Sequence, residues 1–311
     1  MTTVIFVHGI SNMPAKDDLI QYWRNILATD HAGNPGLDLT VRARIRSVHW
    51  ADVLYTAPLS MAQVAENAEM SLESAGALAT GGPDLSDVSD DYLQGLAAAM
   101  DIDPDELAAA DTPAAPPDAA LAEAAAEALP LPWFLKKPLM RAAARDSHHY
   151  LFNVDHSPRP GETFRVRDEV RARFVTELQA AAQSGPIILL THSMGTVIAY
   201  DCLKNVAECP GVKHYMTVGS PLGITEMQDN LKPGYTRHDG FPHEKVEFRW
   251  VNIYDPVDIV SRADARLRGD YLKNGGEMVE DLRQNNGGLW THSMSRYLAE
   301  KPLRDALRSL F

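Results

Sequence analysis

Residues 186–200 read PIILLTHSMGTVIAY, with a serine at position 193 between two apolar runs. The first run, 186–191, is typical of a buried strand, and residues 194–207 are typical of a helix. A strand that ends in a serine, turns on a glycine and continues as a helix exposes the serine hydroxyl at the edge of an α/β sheet. This stretch therefore predicts an α/β fold in which Ser193 is a nucleophile.

The residues that flank the predicted turn test this interpretation. Strand and helix pass closely there, so the G-x-S-x-G pattern places a small residue on each side of the serine. Gly195 satisfies the second position, whereas Thr191 stands where the pattern has its first glycine. This departure raises the question whether the turn adopts the strained conformation. It does not affect the predicted chemistry. An ordinary buried strand–helix junction is the alternative.

A second buried strand is predicted at the start of the chain, where residues 2–7 read TTVIFV and run into His8-Gly9-Ile10. A His-Gly pair after a strand is typical of the oxyanion loops of lipases and esterases. Acyl transfer needs two backbone N–H groups directed at the developing oxyanion, and we predict those of Ile10 and Met194. His8 and Gly9 are then expected to contact the substrate. A strand–loop corner of any α/β protein is the alternative.

A candidate acid follows a third predicted strand, in residues 250–260, WVNIYDPVDIV. The acid of a hydrolase triad lies at the end of a strand after the nucleophile. We favour Asp258, because a strand-end aspartate with Val two places on is the usual esterase pattern. Asp255 also has Val two places on and stays open as the alternative. At least one of the two shapes only the Asp-Pro turn.

The candidate base lies in the second of two copies of the tetrapeptide THSM, at 191–194 and 291–294. Only the first copy follows an apolar strand and precedes a glycine, so it carries the nucleophile. The second copy supplies His292, late in the chain and ahead of a last predicted helix. The resulting order of serine, aspartate and histidine is the one that triads of this kind follow.

In this order, His8-Gly9, Ser193, Asp258 and His292 resemble the α/β-hydrolase superfamily, and in particular its lipase-like serine esterases. VIFVHGI at the start, the segment 48–55 and the Asp255-Pro256 turn resemble bacterial hydrolases related to the GPI inositol-deacylase-like group. The resemblance implies an α/β-hydrolase fold, a mostly parallel sheet flanked by helices, over 1–55 and 147–311. Residues 56–146 are then a cap or lid. The implied activity is hydrolysis of a carboxylic ester, of a small molecule or a lipid, through an acyl-enzyme.

Periodicity predicts the elements that bring these residues together. Strands are expected near 3–8, 39–49, 186–191, 212–218 and 246–253, and helices near 17–28, 165–183, 194–207 and 295–310. Ligands of such sheets bind at the carboxyl ends of the strands. The four candidate residues, His8, Ser193, Asp258 and His292, all fall at or beyond predicted strand ends, so we expect them to converge at that edge.

The predicted cap has an unusual composition. Residues 47–135 contain no Lys or Arg, while acids recur from Asp52 to Glu127 among Ala, Pro and Gly. This composition predicts a helical or flexible insertion. Residues 129–145 are rich in apolar side chains, and Lys137, Arg141 and Arg145 share one helical face. An amphipathic helix that packs the insertion onto the core is favoured over contact with a lipid surface.

Two functions from other classes remain open. One is a membrane-active phospholipase-type effector that uses 129–145. The other is a catalytically silent hydrolase scaffold that binds a partner through its acidic insertion. A net charge of -13 disfavours nucleic acid as a partner. The oligomeric state and the acyl chain length are left open by the sequence.

The remaining expectations for the 311 residues concern location, metal binding and cofactors. No leader and no run of about 20 apolar residues is evident, which favours a cytoplasmic protein. His148, His149 and His156, and likewise His238 and His243, lack the tight spacing of a zinc site, so we predict no metal. With no Gly-rich phosphate loop or dinucleotide fingerprint, we predict no cofactor.

Overall fold

The computed structural model describes residues 1–31, 33–63, 83–109, 133–231, 234–261, 263–287 and 291–311. Within these residues, six strands form one sheet: β1 (Thr2–Val7), β2 (Ala43–Val48), β5 (Ile187–His192), β6 (Val212–Val218), β7 (Val246–Tyr254) and β10 (Val279–Arg283). Their order in the sheet is β10-β7-β6-β5-β1-β2, and every neighbouring pair is parallel. Two small antiparallel pairs are β3 (Asp155–Arg159) with β4 (Glu162–Arg165), and β8 (Leu272–Lys273) with β9 (Gly276–Glu277).

Helices cover both faces of this sheet, as a parallel sheet requires. They are α1 (Lys16–Ala28), α2 (Asp90–Ala99), α3 (Pro104–Ala108), α4 (Trp133–Leu151), α5 (Val166–Ala182), α6 (Met194–Asn205), α7 (Thr225–Asn230), α8 (Met294–Ala299) and α9 (Lys301–Arg308), with a 3₁₀ turn at Ala51–Val53. The α/β fold with a parallel sheet, predicted from the sequence, is confirmed. None of the described helices is both long and apolar enough to cross a bilayer.

The central strands β1, β5 and β6 are buried along nearly all of their length because helices cover both faces of the sheet. Successive side chains of a strand point to opposite faces. In β1, Val4 and Phe6 pack with α1, α8 and α9, whereas Ile5 and Val7 pack with α5 and α6. The sheet therefore separates two hydrophobic cores and fixes the directions of the loops at its carboxyl edge.

The last helix was expected to run without a break from 295 to 310. It stops instead at Glu300, whose ψ of 152° is extended, and restarts as α9. Pro302 has no N–H to donate to the carbonyl of Leu298, as a continuous helix would require. That carbonyl accepts a hydrogen bond of 2.8 Å from Nε of Arg304, a fully buried side chain.

Strand β2 is shorter than the expected span of 39–49. The N–H groups of Arg42 and Ala43 both donate to the carbonyl of Leu39, which turns the chain before the strand begins. The other predicted strands agree with the observed bounds to within one or two residues. The edge strand β10 and helices α2 and α3 were not predicted.

The described part of the predicted cap packs on the core. Leu93 and Leu96 of α2 and Met140 of α4 belong to the same hydrophobic cluster as α5 and α6. Arg141 is buried and donates to the carbonyls of Leu107, Ala108 and Ala109 and to that of Pro83. The division of the chain into core and cap stays a prediction. Residues 64–82 and 110–132, which hold much of the Ala-rich sequence, lie outside the described residues.

Candidate active site

Ser193 lies between the end of β5 and the start of α6, in an unusual backbone conformation. Its φ of 52° and ψ of -128° fall in a region that residues other than glycine rarely adopt. A hydrogen bond of 3.0 Å from its N–H to the carbonyl of Val218 fixes the turn. The strained turn therefore forms with Thr191 in place of glycine. The Thr191 hydroxyl donates to the carbonyl of Met216.

The small residue on the other side of the serine has a direct steric reason. A Cβ on Gly195 would lie 2.5 Å from the carbonyl oxygen of His8 and 2.6 Å from that of Val7. Helix α6 thus begins against the end of β1. This contact places the loop after β1 beside Ser193, as the sequence predicted for that segment.

His292 lies between Ser193 and Asp258. Its Nε2 is 2.9 Å from Oγ of Ser193, and its Nδ1 is 2.8 Å from each carboxylate oxygen of Asp258. All three side chains are buried. An ionised carboxylate only accepts hydrogen bonds, so Nδ1 carries the proton and the lone pair of Nε2 faces the serine hydroxyl. This tautomer suits a base that takes a proton from Ser193.

The carboxylate of Asp258 is held ionised inside the protein. Burial pushes its pKa upward, but the contacts with His292, with the Tyr297 hydroxyl and with the N–H of Val260 outweigh burial and lower the pKa below its usual value. The Tyr297 hydroxyl donates to Oδ2 at 2.8 Å, and the Val260 N–H donates to Oδ1 at 2.9 Å. The ionised carboxylate therefore fixes the orientation of the His292 ring through Nδ1.

Asp255 takes a different position. Its carboxylate accepts hydrogen bonds from the N–H groups of Asn286, at 2.7 Å, and Val257, at 3.0 Å. The structure thus brings Asp258 to His292, while Asp255 shapes the turn after β7. Of the two aspartates left open by the sequence, the favoured one has the geometry of a triad acid.

Two backbone N–H groups, those of Ile10 and Met194, are the candidates for an oxyanion site. Met194 is the first residue of α6, and helical geometry leaves its N–H without a partner inside the helix. In the part of the chain that is described, no hydrogen bond occupies the N–H of Met194 or that of Ile10. The loop carrying Ile10 touches the serine, because a Cβ on Gly9 would lie 2.7 Å from Cβ of Ser193. Both predicted donors are therefore unoccupied and belong to segments that adjoin Ser193, and their role as an oxyanion site stays a prediction.

We expect Gly9→Ala to lower kcat for ester hydrolysis by about 100- to 1,000-fold, the effect of losing one oxyanion donor. The added methyl group would meet Ser193 and push the loop away from it. Kinetics on a soluble ester measure the effect, with Gly269→Ala as the control, because a Cβ there has nothing within 4 Å. An active Gly9→Ala protein would place the oxyanion elsewhere.

His8 contributes to the structure of the loop after β1. Its ring is fully buried and stacks on Trp50 at 4.9 Å. Nδ1 donates to the carbonyl of Gly9 at 2.9 Å, and Nε2 accepts from the N–H of Trp50 at 3.0 Å. Both ring nitrogens are thus used inside the protein. His8 shapes the loop that carries Gly9 and Ile10, and its direct contact with substrate stays a prediction.

His192, next to the nucleophile, supports the base. Its Nε2 donates to the backbone carbonyl of His292 at 2.7 Å, and the two rings lie 4.8 Å apart. Burial first, and then the neighbouring His292, lower the pKa of His192 to about 3. It stays neutral at pH 7 and holds the loop of His292 without adding charge.

Acid should therefore destabilise the fold. Because the folded pKa of His192 is about 3 and the unfolded one about 6.5, the unfolded state binds more protons between these values. Stability is then full above pH 6.5 and declines as the pH falls toward 3. We expect the melting temperature to drop across pH 6.5 to 4, and less steeply in His192→Gln than in the exposed His31→Gln control. An equal slope in both variants would contradict this assignment.

Sequence reasoning missed two residues that support the Asp258–His292 pair. Gly219 has φ +55°, and a Cβ there would lie 2.9 Å from Oδ2 of Asp258 and 3.3 Å from Nδ1 of His292. Tyr297 is buried, and its hydroxyl also accepts the N–H of Asp255. A glycine directly after the predicted strand 212–218 was a signal of close approach. Nothing local marks Tyr297, since it reaches Asp258 from α8.

Over the described ranges, no group of three or more His, Cys, Asp or Glu side chains is arranged to hold a metal ion. Comparison with protein-family models gives no match, and comparison with curated proteins gives none either. Among solved structures, the chain is similar to RedJ with a PEG molecule bound in the active site, at 16% identity and a TM-score of 0.26. The match covers 46% of this chain and 66% of that one, just under two thirds of its length. A similarity of this size assigns no family.

Proposed function

We propose that the protein is a serine hydrolase that cleaves a carboxylic ester through Ser193, His292 and Asp258. The observation that carries the proposal is the position of His292, 2.9 Å from the Ser193 hydroxyl and 2.8 Å from the Asp258 carboxylate. Nucleophile, base and orienting acid within hydrogen-bond reach of one another are the arrangement that activates a serine.

Acylation begins with His292. Its Nε2 takes the Ser193 proton as Oγ attacks the ester carbonyl, and the new C–O bond forms a tetrahedral intermediate. The N–H groups of Met194 and Ile10 donate to its oxyanion. Collapse of the intermediate breaks the bond to the alcohol, which leaves with the proton from His292. Asp258 stabilises the imidazolium between these two transfers.

Deacylation repeats the steps with water. His292 takes a proton from the water, the resulting hydroxide attacks the acyl-enzyme, and the same two N–H groups bind the second oxyanion. Return of the proton to Oγ of Ser193 releases the carboxylic acid. No step requires a metal ion or a cofactor.

The resemblance to lipase-like α/β-hydrolases favours an ester of a small molecule or a lipid over an amide. Relatives that open epoxides or displace halide use an aspartate where this chain has Ser193. The membrane-active alternative gains nothing from Arg141 and Arg145. Arg141 donates to backbone carbonyls and Arg145 to the carboxylate of Asp146, so both cations are engaged inside the protein. The cytoplasmic location stays a prediction.

A fluorophosphonate probe tests the proposal directly. The purified protein should be labelled once, at Ser193, and should hydrolyse p-nitrophenyl esters, with a chain-length series from acetate to palmitate defining the acyl preference. Mass spectrometry of the labelled peptide identifies the site. A folded protein that neither reacts with the probe nor hydrolyses any ester of the series would favour the partner-binding alternative.

A further inference from the structure

The residue after the proposed oxyanion donor Ile10 is held in an unusual way. Ser11 has φ +72°, a left-handed conformation that few residues other than glycine adopt. Its N–H donates to Oδ2 of Asp146 at 2.9 Å. Asp146 is distant in sequence, in helix α4, and its carboxylate is completely buried.

The Asp146 carboxylate is itself fixed by two further side chains. Arg145 donates to Oδ1 through Nη2 at 2.7 Å and through Nε at 3.1 Å. The Tyr55 hydroxyl donates at 3.0 Å to Oδ2, and Arg145 lies over the Tyr55 ring at 4.6 Å. Burial, together with the charge of Asp146, raises the pKa of Tyr55, so its hydroxyl remains a donor. The acceptor of the Ser11 N–H is therefore rigid.

The bond from Ser11 to Asp146 constrains the backbone on one side of Ile10. Each peptide group is planar, so fixing the N–H of Ser11 also fixes the carbonyl of Ile10. The peptide on the other side of the Ile10 Cα carries the proposed oxyanion donor, and Gly9 in that peptide lies against Ser193. Ile10 is thus held between Ser193 and Asp146.

Other contacts of the loop lie farther from the donor. The side chain of Asn12 donates to the carbonyl of Ala57, and the carbonyl of Met13 accepts from the N–H of Leu59. These bonds fasten residues 12–13 to the segment at 57–59. The side chain of Ser11 also bonds to Tyr55, whereas the bond to Asp146 holds the backbone N–H of this residue, directly after Ile10.

We infer that Asp146 is a positioning residue for the oxyanion loop, through its bond to the N–H of Ser11. This inference rests on the proposed function, since it concerns the direction of an oxyanion donor in ester hydrolysis. It also links chemistry to the predicted cap, because Asp146 belongs to the helix at the cap's boundary with the core. Loss of the bond should weaken binding of the tetrahedral state more than binding of the substrate.

Asp146→Asn and Asp146→Glu test the inference together. The first removes the charge at the same size; the second keeps the charge that Arg145 requires and moves it by one C–C bond, about 1.5 Å. We expect kcat for a p-nitrophenyl ester to fall about 10- to 100-fold with KM within a factor of about two, as for misplacement of a catalytic group. The affinity for a trifluoromethyl ketone, which forms a tetrahedral adduct with Ser193, should fall in parallel.

Asp201→Asn is the matched control. Asp201 is also buried and accepts from an arginine and a tyrosine, Arg171 at 2.7 and 2.8 Å and Tyr150 at 2.6 Å. None of its described hydrogen bonds involves the loop after β1. We expect Asp201→Asn to lower the melting temperature while kcat of the folded protein stays at the wild-type value.

The outcomes separate the two proposals. A wild-type protein that hydrolyses no ester overturns the proposed function, and the inference with it. An active wild type with normal kcat and inhibitor affinity in both Asp146 variants overturns the inference alone. If Asp146→Asn does not fold, Asp146→Glu decides. A change confined to KM, or a loss of kcat in Asp201→Asn as large as in the Asp146 variants, would also overturn it.

Discussion

Ser193→Ala is expected to lower kcat for ester hydrolysis about 10⁶-fold, the effect seen when the nucleophile of a serine triad is removed. Labelling by a fluorophosphonate should disappear as well. The hydroxyl is the atom that attacks, and among the described serines it is the one that the Nε2 of His292 reaches, at 2.9 Å. The assay is turnover of a soluble ester by protein whose melting temperature matches that of the wild type.

His292→Ala and the double variant with Ser193→Ala sharpen this test. Residues that act as one unit lose nearly the same activity singly and together, so the double variant should be no slower than either single one. Additive losses would mean that the two residues contribute independently. Substantial turnover by Ser193→Ala would place the chemistry at another residue.

Asp258→Asn is expected to lower kcat about 10⁴-fold while KM changes little. The side-chain amide introduced by this substitution would donate to Nδ1 of His292, which leaves the proton on Nε2. That tautomer cannot take the proton of Ser193. The pH dependence of kcat/KM, measured on wild type and Asp258→Asn, reports the change in the base.

Asp255→Asn is the matched control for this substitution. Asp255 lies on the same turn and is also buried, but its carboxylate accepts hydrogen bonds from the backbone N–H groups of Val257 and Asn286 rather than from Nδ1 of His292. We expect lower stability with kcat near that of the wild type. If instead Asp255→Asn loses the greater activity, the assignment of the acid is wrong.

The sequence predicted the parts of this site that follow buried strands. An apolar run that ends in His8-Gly9 or in Ser193 determines both the strand and the loop, because parallel strands end at the same edge of the sheet. The pattern favoured Asp258 and left Asp255 open as the alternative. The distinction between them depends on which carboxylate faces His292 across the turn, a matter of three-dimensional packing.

The supporting residues were harder to predict because their contacts are distant in sequence. Tyr297 reaches Asp258 from α8, and Asp146 reaches Ser11 from α4. The structural role of His8 was missed for a related reason, since Trp50 supplies both its stacking partner and its hydrogen-bond donor. The break between α8 and α9 did have a local signal in Pro302.

The backbone conformation of Ser193 bears on the balance between stability and activity. Its conformation, φ 52° and ψ -128°, costs a residue with a side chain about 1–3 kcal/mol. Glycine adopts it freely, so Ser193→Gly would give a protein that is inert toward esters yet harder to melt. A chain shaped only to fold would therefore have glycine at 193. Serine at this position therefore lowers the stability of the fold, as expected if its hydroxyl is the proposed nucleophile.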